Sequence, residues 1–293
     1  MASHRTTSAI VGIVLCILFL LPHLAESAEL KPATIAAWDR YVAQTEARIE
    51  RETTDETRFL GIDFETGSSA DVRESLKKGH VVVMKLTTDD QAGKRLRVED
   101  GLVHHWRGVV FIRGASVDQI LSPATNVESH RQEDLEQARV LSRDENGETV
   151  FLRLKKSAIV TVTYNTEHRV ERHRYGPSKL VRISRSMRIA ELEDPGTPTE
   201  HEKPVGRDRG FLWRLNSYWR YEDVDGGVIA ECESLSLSRP VPFALRLFVE
   251  PFIGRTAHES MMRTLDALRK RFETRADLVT GPAVASADAA SRR

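Results

Sequence analysis

Between residues 32 and 53 the apolar side chains recur at helical spacing. Ile35, Trp38, Val42 and Ile49 lie three, four and seven apart, and Pro32 stands in what would be the first turn. Asp39, Arg40, Glu46, Arg48 and Glu50 occupy the opposite side, so an amphipathic helix with a solvated outer face is predicted. Gly61 and Gly67-Ser68-Ser69 interrupt the chain, 71–78 reads as a short helix, and the Val-rich run 81–84 reads as a strand. Beyond Asp100-Gly101 the period changes to two. Residues 102–113 make a long strand candidate ended by Gly114, and Ser116 caps a short helix through Leu121, cut by Ser122-Pro123. Extended runs follow at 138–143, 149–155, 157–165, 168–175, 180–191, 211–222 and 227–237. Asn146-Gly147, Gly176-Pro177 and Asp225-Gly226-Gly227 mark turns between them.

The stretch 194–210, with Pro195, Gly196, Pro198, Pro204, Gly206 and Gly210, is expected to be a loop. After Pro240 and Pro242 a long helical pattern resumes, with Met261, Leu265, Leu268 and Phe272 on one side. Pro251 and Gly254 are expected to break or kink its front half. Residues 276–293 are rich in Ala and Ser without an apolar period, and read as a disordered tail. Strands joined by short turns make an antiparallel sheet, and one long helix after the last strand buries its apolar side across that sheet.

The N-terminus reads as a targeting segment. Residues 9–21 are thirteen uninterrupted apolar positions, short of the roughly 20 that span a bilayer, and Pro22 follows. Small residues Ala25 and Ser27 place a cleavage before Ala28, with a retained N-terminal anchor as the alternative. A lipoprotein signal at Cys16 is disfavoured, because Val14 and Leu15 stand where small residues are needed. Cleavage would leave Cys232 as a single thiol, in an exported protein with no internal disulfide.

With 43 basic and 43 acidic residues the chain has no formal net charge, which argues against general nucleic-acid binding. Two cysteines exclude a disulfide framework or a Cys-rich zinc module. Charge is nonetheless uneven. Residues 153–188 hold ten Lys/Arg and two acids, read either as protection of sheet edges or as contact with an anionic membrane surface.

Over roughly residues 100–275 the element order resembles the START-like, helix-grip superfamily, also called SRPBCC. The likeness is carried as well by Trp219-Arg220-Tyr221-Glu222, Asp225-Gly226-Gly227-Val228, Glu231-Cys232-Glu233 and Ser236-Leu237-Ser238-Arg239. The resemblance implies an α+β fold in which a curved antiparallel sheet wraps a long C-terminal helix, here with an N-terminal helical extension over 28–99. It also implies an apolar cavity for lipids, sterols or polyketides; some members are cyclases or subunits of ring-oxidising enzymes.

Alternation in 180–191 puts Val181, Ile183, Arg185, Met187 and Ile189 on one side, taken as the inward one. A buried guanidinium needs a partner, so Arg185 is a candidate head-group clamp or the partner of Glu233 or Glu231. Trp106, Met187, Trp213 and Tyr218 are the candidate walls, and Glu233 the acidic group beside Arg185. The loop 194–210 and the segment 240–255 form the natural gate.

Signatures of chemistry are few. His104 and His105 are adjacent on a strand and face opposite ways, and His130, His168 and His173 lack ligand spacing. His258-Glu259 is followed by Met262 where a zinc protease needs its second His. Nucleotide-binding glycine motifs and a Gly-x-Ser-x-Gly elbow are missing, so no cofactor is expected. Cys232 lies between two glutamates, which disfavour its thiolate, and Glu167-His168 reads as a solvated pair. The expectation is an exported, non-enzymatic carrier of a hydrophobic or amphipathic small molecule. A cavity enzyme using Arg185 and Glu233, or an interaction module with a filled core, are the alternatives.

Overall fold

A computed structural model describes residues 30–65, 69–121, 134–157, 161–241 and 246–280. The expected leader and cleavage site, the expected break at Ser122-Pro123 and the stretch from 281 lie outside the described residues. The first helix, α1 (Pro32–Thr53), starts on Pro32 and buries Trp38, Tyr41 and Ile49. A 3-10 turn (Gly61–Phe64) and α2 (Ser69–Lys77) follow, then β1 (Val82–Lys85), β2 (Leu102–Arg113) and the short α3 (Val117–Leu121). Strands β3 (Leu135–Asp144), β4 (Gly147–Ser157), β5 (Thr161–Tyr175), β6 (Lys179–Glu193), β7 (His201–Glu202), β8 (Arg214–Val224) and β9 (Gly227–Ser238) lead to α4 (Arg246–Thr280).

The sheet runs β1-β2-β9-β8-β6-β5-β4-β3, with β7 paired to β6. All pairings are antiparallel. The β8–β9 turn is Asp225-Gly226, where Gly226 at φ 82° takes the left-handed conformation such a hairpin requires. β2 pairs with β9 along its whole length, setting an early strand directly beside the last one.

Three expectations are revised. The runs 157–165 and 168–175 belong mainly to one long strand, β5, which continues unbroken past Glu167/His168; the bulge opposite that pair is in β6, at Met187. The loop after β6 contains the two-residue β7. The last helix runs continuously through Pro251 and Gly254 and on to Thr280, into the stretch read as tail. A proline removes one helical hydrogen bond and a glycine costs propensity; the bonds on either side suffice to continue the helix.

Both faces of the sheet are covered. Met261, Leu265 and Phe272 of α4 join Val110, Ile112, Leu180, Tyr221, Val228, Ala230 and Cys232 in one core. On the other face α1 packs on Trp213, Tyr218, Leu235 and Leu237. The 3-10 turn and α2 complete that side, setting Phe59, Leu60, Ile62 and Leu76 against Val109, Phe111, Val181 and Ile229. The N-terminal extension is thus a second layer on the sheet, and β1 is its first strand.

Tertiary contacts also neutralise most of the basic stretch. Arg153 meets Glu200 at 2.6 Å, Arg169 meets Asp144 at 2.6 Å, Arg174 meets Asp118 at 2.7 Å, and Arg188 pairs with Glu202. Of the ten Lys/Arg in 153–188, nine have a carboxylate within 4.0 Å. Arg182 is the exception among the described residues.

Candidate functional site

The face of the sheet under α4 is built from alternate residues of β2, β9, β8 and β6. Gly108 of β2 lets α4 approach: a Cβ there would lie 2.5 Å from Leu265 Cδ1 and 2.6 Å from Met261 Cγ. Trp106, one step along the same face, meets the ring of His258 edge-on at 6.1 Å. Strand register then defines rows across the sheet. Ser234, Ser217 and Ser184 stand side by side on β9, β8 and β6. In the next row are Cys232, Trp219, Arg182 and, on β5, Arg172. Ala230, Tyr221 and Leu180 make the third.

The serines of the first row have the smallest polar side chains on this face. Beside them Trp219, Leu215, Ser217, Ser184 and Arg182 stay only half-buried in the middle of the sheet. Trp219 and Tyr221 stack at 5.8 Å with their rings nearly parallel. Among the described residues Arg182 has neither an ion pair nor a side-chain hydrogen bond. Glu148, the acid whose field reaches it, is already held by Arg172 at 2.5 Å and Arg143 at 3.3 Å. Burial lowers the Arg182 pKa, and the like charge of Arg172 acts in the same direction. Burial raises the Tyr221 phenol, against the fields of Arg182, Arg271 and Arg172.

Of the side chains expected to form a pocket, the structure sets only Trp106 on this face. Arg185 points the other way and is tied to Glu46 of α1 (2.7 Å) and Glu171 (3.0 Å), not to Glu233 or Glu231. Tyr218 donates to Glu46 Oε1 at 2.8 Å. Trp213 lies just before β8, buried against the α1 side, with its indole donating to Asp208. Met187 is 62% exposed beyond the β6–β8 pairing. Glu233 is buried beneath α1. As walls of a space between sheet and α4, these five do not come together.

What surrounds Glu233 is a buried ionic network. His105 Nε2 lies 2.7 Å from its Oε1, Arg107 donates to Oε2 at 3.1 Å, and Arg48 of α1 pairs with it as well. Burial alone would raise this carboxyl; the His105 hydrogen bond and the charges of Arg48 and Arg107 hold it well below the usual range. Arg220 reaches Glu52 at 2.7 Å and the Phe59 carbonyl at 3.1 Å. Tyr41 Oη lies 2.9 Å from His105 Nδ1. The network ties α1, the 3-10 turn and three strands together.

Other candidate chemistry is quiet. Among the described residues no cluster of His, Cys, Asp and Glu is arranged to hold a metal ion. Cys232 is buried on the α4 face, and burial first, then Glu233 and Glu231, pushes its thiol well up. Glu167 is partly exposed beside Arg188 at 3.8 Å, whereas His168 is buried and bonded to Thr166 at 3.0 Å, so the two are not both solvated. No described helix is long and apolar enough to cross a membrane.

Arg182 and Ser184 were legible as strand residues but not as a site, whereas alternation in 211–221 already puts Ser217, Trp219 and Tyr221 on one aromatic face, readable as core or as a ligand wall. In β6 the polar alternation (Arg182, Ser184) reads as the solvent side, and it is the side beneath α4. The available signal was the apolar stripe of 32–53 ahead of residue 100, a helical face that needs a surface of its own to cover.

No protein-family model matches the sequence, and no curated protein does. Among solved structures, a STAR-related lipid transfer protein fragment from Xanthomonas axonopodis is similar at a TM-score of 0.41 and 16% identity, over 64% of this chain and 98% of that one. The Zhui aromatase/cyclase from Streptomyces sp. R1128 is similar at 0.42 and 14%, over 62% and 100%. Human StAR-related lipid transfer protein 5 is similar at 0.39 and 13%, over 82% and 98%. At these values the likenesses carry no argument about ligand or activity. By its own sheet order and the helix laid across one face, the fold is the START-like helix-grip arrangement.

Proposed function

We propose that the protein binds a hydrophobic or amphipathic small molecule between the sheet and α4, as an exported carrier rather than an enzyme. The observation behind this reading is the row Ser234-Ser217-Ser184 beside half-buried Trp219 and Leu215: small side chains and unfilled aromatic surface in the middle of a covered face. Apolar walls with a few polar groups suit a ligand whose body supplies affinity and whose end sets orientation. Export is supported by the leader-like residues 1–27. The proposal does not call on membrane contact by the basic stretch, whose charges are largely paired within the chain.

Native mass spectrometry of the protein purified from its own cell envelope, before and after solvent extraction, tests the reading. A stoichiometric adduct that vanishes in a folded Ser217→Trp variant is expected, because the indole would occupy the space above the serines. An apo mass together with failure to bind fluorescent cis-parinaric acid or its methyl ester would overturn it, as would undiminished binding by Ser217→Trp.

A further inference from the structure

Among the described residues, Arg182 is the cation in the basic stretch with no ion pair, and it sits on the covered face rather than at an edge. An uncompensated charge on a covered face is costly, and a chain with nine neighbouring pairs of its own has the acids to supply a tenth. Glu148 cannot serve, since Arg143 and Arg172 share it. Directly across from Arg182 stand Trp219 on one side and Arg172 on the other. The next row adds Tyr221, whose hydroxyl has no hydrogen-bond partner among the described residues and lies in the field of Arg182, Arg271 and Arg172. Positive charge and an unused hydroxyl therefore converge at one end of the space, with the serine row and Leu215 leading away from it.

Resting on the reading given under Proposed function, we propose that this end receives an anionic head, a carboxylate or a phosphate monoester carried on an apolar body. The Arg182 guanidinium grips it by paired hydrogen bonds and the Tyr221 hydroxyl donates a third. A planar fork suits two oxygens of one acid group, which an ammonium would hold only as a point charge. Arg182 is then the residue that decides between acids and their neutral analogues.

The test compares the full chain's affinity for cis-parinaric acid with that for its methyl ester, read by probe fluorescence. Dodecanoate, dodecyl phosphate and dodecanol serve as competitors. Wild type is expected to favour the acid by at least about tenfold, and Arg182→Met to bring the ratio near one while the ester still binds. Arg188→Met, an exposed arginine paired elsewhere, should leave the ratio unchanged. Should Arg182→Met fail to fold, Arg182→Lys and Tyr221→Phe carry the test, each expected to lower acid affinity about threefold or more and to spare the ester. Equal wild-type affinity for acid and ester, or an unaltered ratio in the Arg182 variants, would overturn the inference while leaving the pocket intact. Displacement of the acid by millimolar inorganic phosphate alone would overturn it too, by showing a free-anion site. Absence of binding by both probes would sink the pocket reading and the inference with it.

Discussion

The carboxylate of Glu231 accepts hydrogen bonds from the backbone N–H groups of Gly61 (2.8 Å) and Ile62 (3.0 Å), 170 residues earlier in the chain. Arg107 and Arg220 flank the same carboxylate at 3.8 and 3.6 Å, too far for hydrogen bonds, so charge rather than geometry makes those contacts. Their Nε atoms are buried without hydrogen-bond partners. One side chain of β9 thereby pins the 3-10 turn to the sheet.

Gly61 must stay small for this to hold. A Cβ there would lie 2.4 Å from Arg107 Cζ, inside a packed guanidinium that has nowhere to retreat. Gly61→Ala is expected to destabilise by about 2 kcal/mol or more, as overpacking and a displaced buried charge act together. Urea denaturation measures it; a change under about 0.5 kcal/mol would show that Arg107 moves freely.

Removing Glu233 should cost more. Glu233→Leu leaves Arg48, Arg107 and His105 facing an uncharged side chain, with an expected loss of about 3–5 kcal/mol. Glu233→Gln keeps part of the hydrogen bonding and should fall between. Neither substitution touches the face beneath α4, so affinity for parinaric acid in the folded fraction should be unchanged. A selective loss of binding in Glu233→Gln would return Glu233 to the site.

Gly108 tests how closely α4 must lie. Gly108→Ala asks the ends of Met261 and Leu265 to shift and is expected to cost about 1 kcal/mol, and Gly108→Val about 2–3 kcal/mol. Because the helix roofs the proposed pocket, ligand off-rate should rise with the size of the new side chain. Stopped-flow displacement of parinaric acid reads this; equal off-rates across Gly, Ala and Val would separate the roof from the ligand.

Acid should weaken the fold in two steps. Burial lowers the His168 pKa to about 4, so the folded state keeps it neutral while the unfolded chain takes up a proton near the ordinary value of 6.5. Its contribution is whole above that value, is lost as pH falls from about 6.5 to about 4, and is flat below; the loss amounts to up to about 3 kcal/mol. His104, lowered to about 4 by burial and by Lys85, acts in the same window. Glu233, held down in the folded state, adds its loss only below the ordinary carboxylate range. Melting temperatures of wild type and His168→Asn between pH 7 and 4 should show a shallower decline in the variant. Parallel curves would mean that His168 takes up its proton without cost.

The amino-acid order alone determined most of the local elements. The apolar spacing of 32–53, the Pro/Gly-rich loop, the Asp225-Gly226 turn and the stripe of Met261, Leu265 and Phe272 each define an element through short-range sterics and periodicity, and α1, β2, β9 and α4 follow from them. Their order also carried the antiparallel sheet gripped by a terminal helix. Tertiary structure alone decided which face of each strand looks where. Alternation says that Arg182 and Arg185 point apart, but not that Arg185 lies under α1 beside Glu46 while Arg182 lies on the side of α4. With a core on both faces, the usual equation of apolar with inward loses its meaning, and the more polar side of β6 turns out to lie on the face that α4 covers. The ion pairs were hidden for the same reason: Glu46, Glu52, Asp144 and Glu200 reach their arginines only after the chain has folded back, and charge pairing at such separations leaves no trace in sequence spacing.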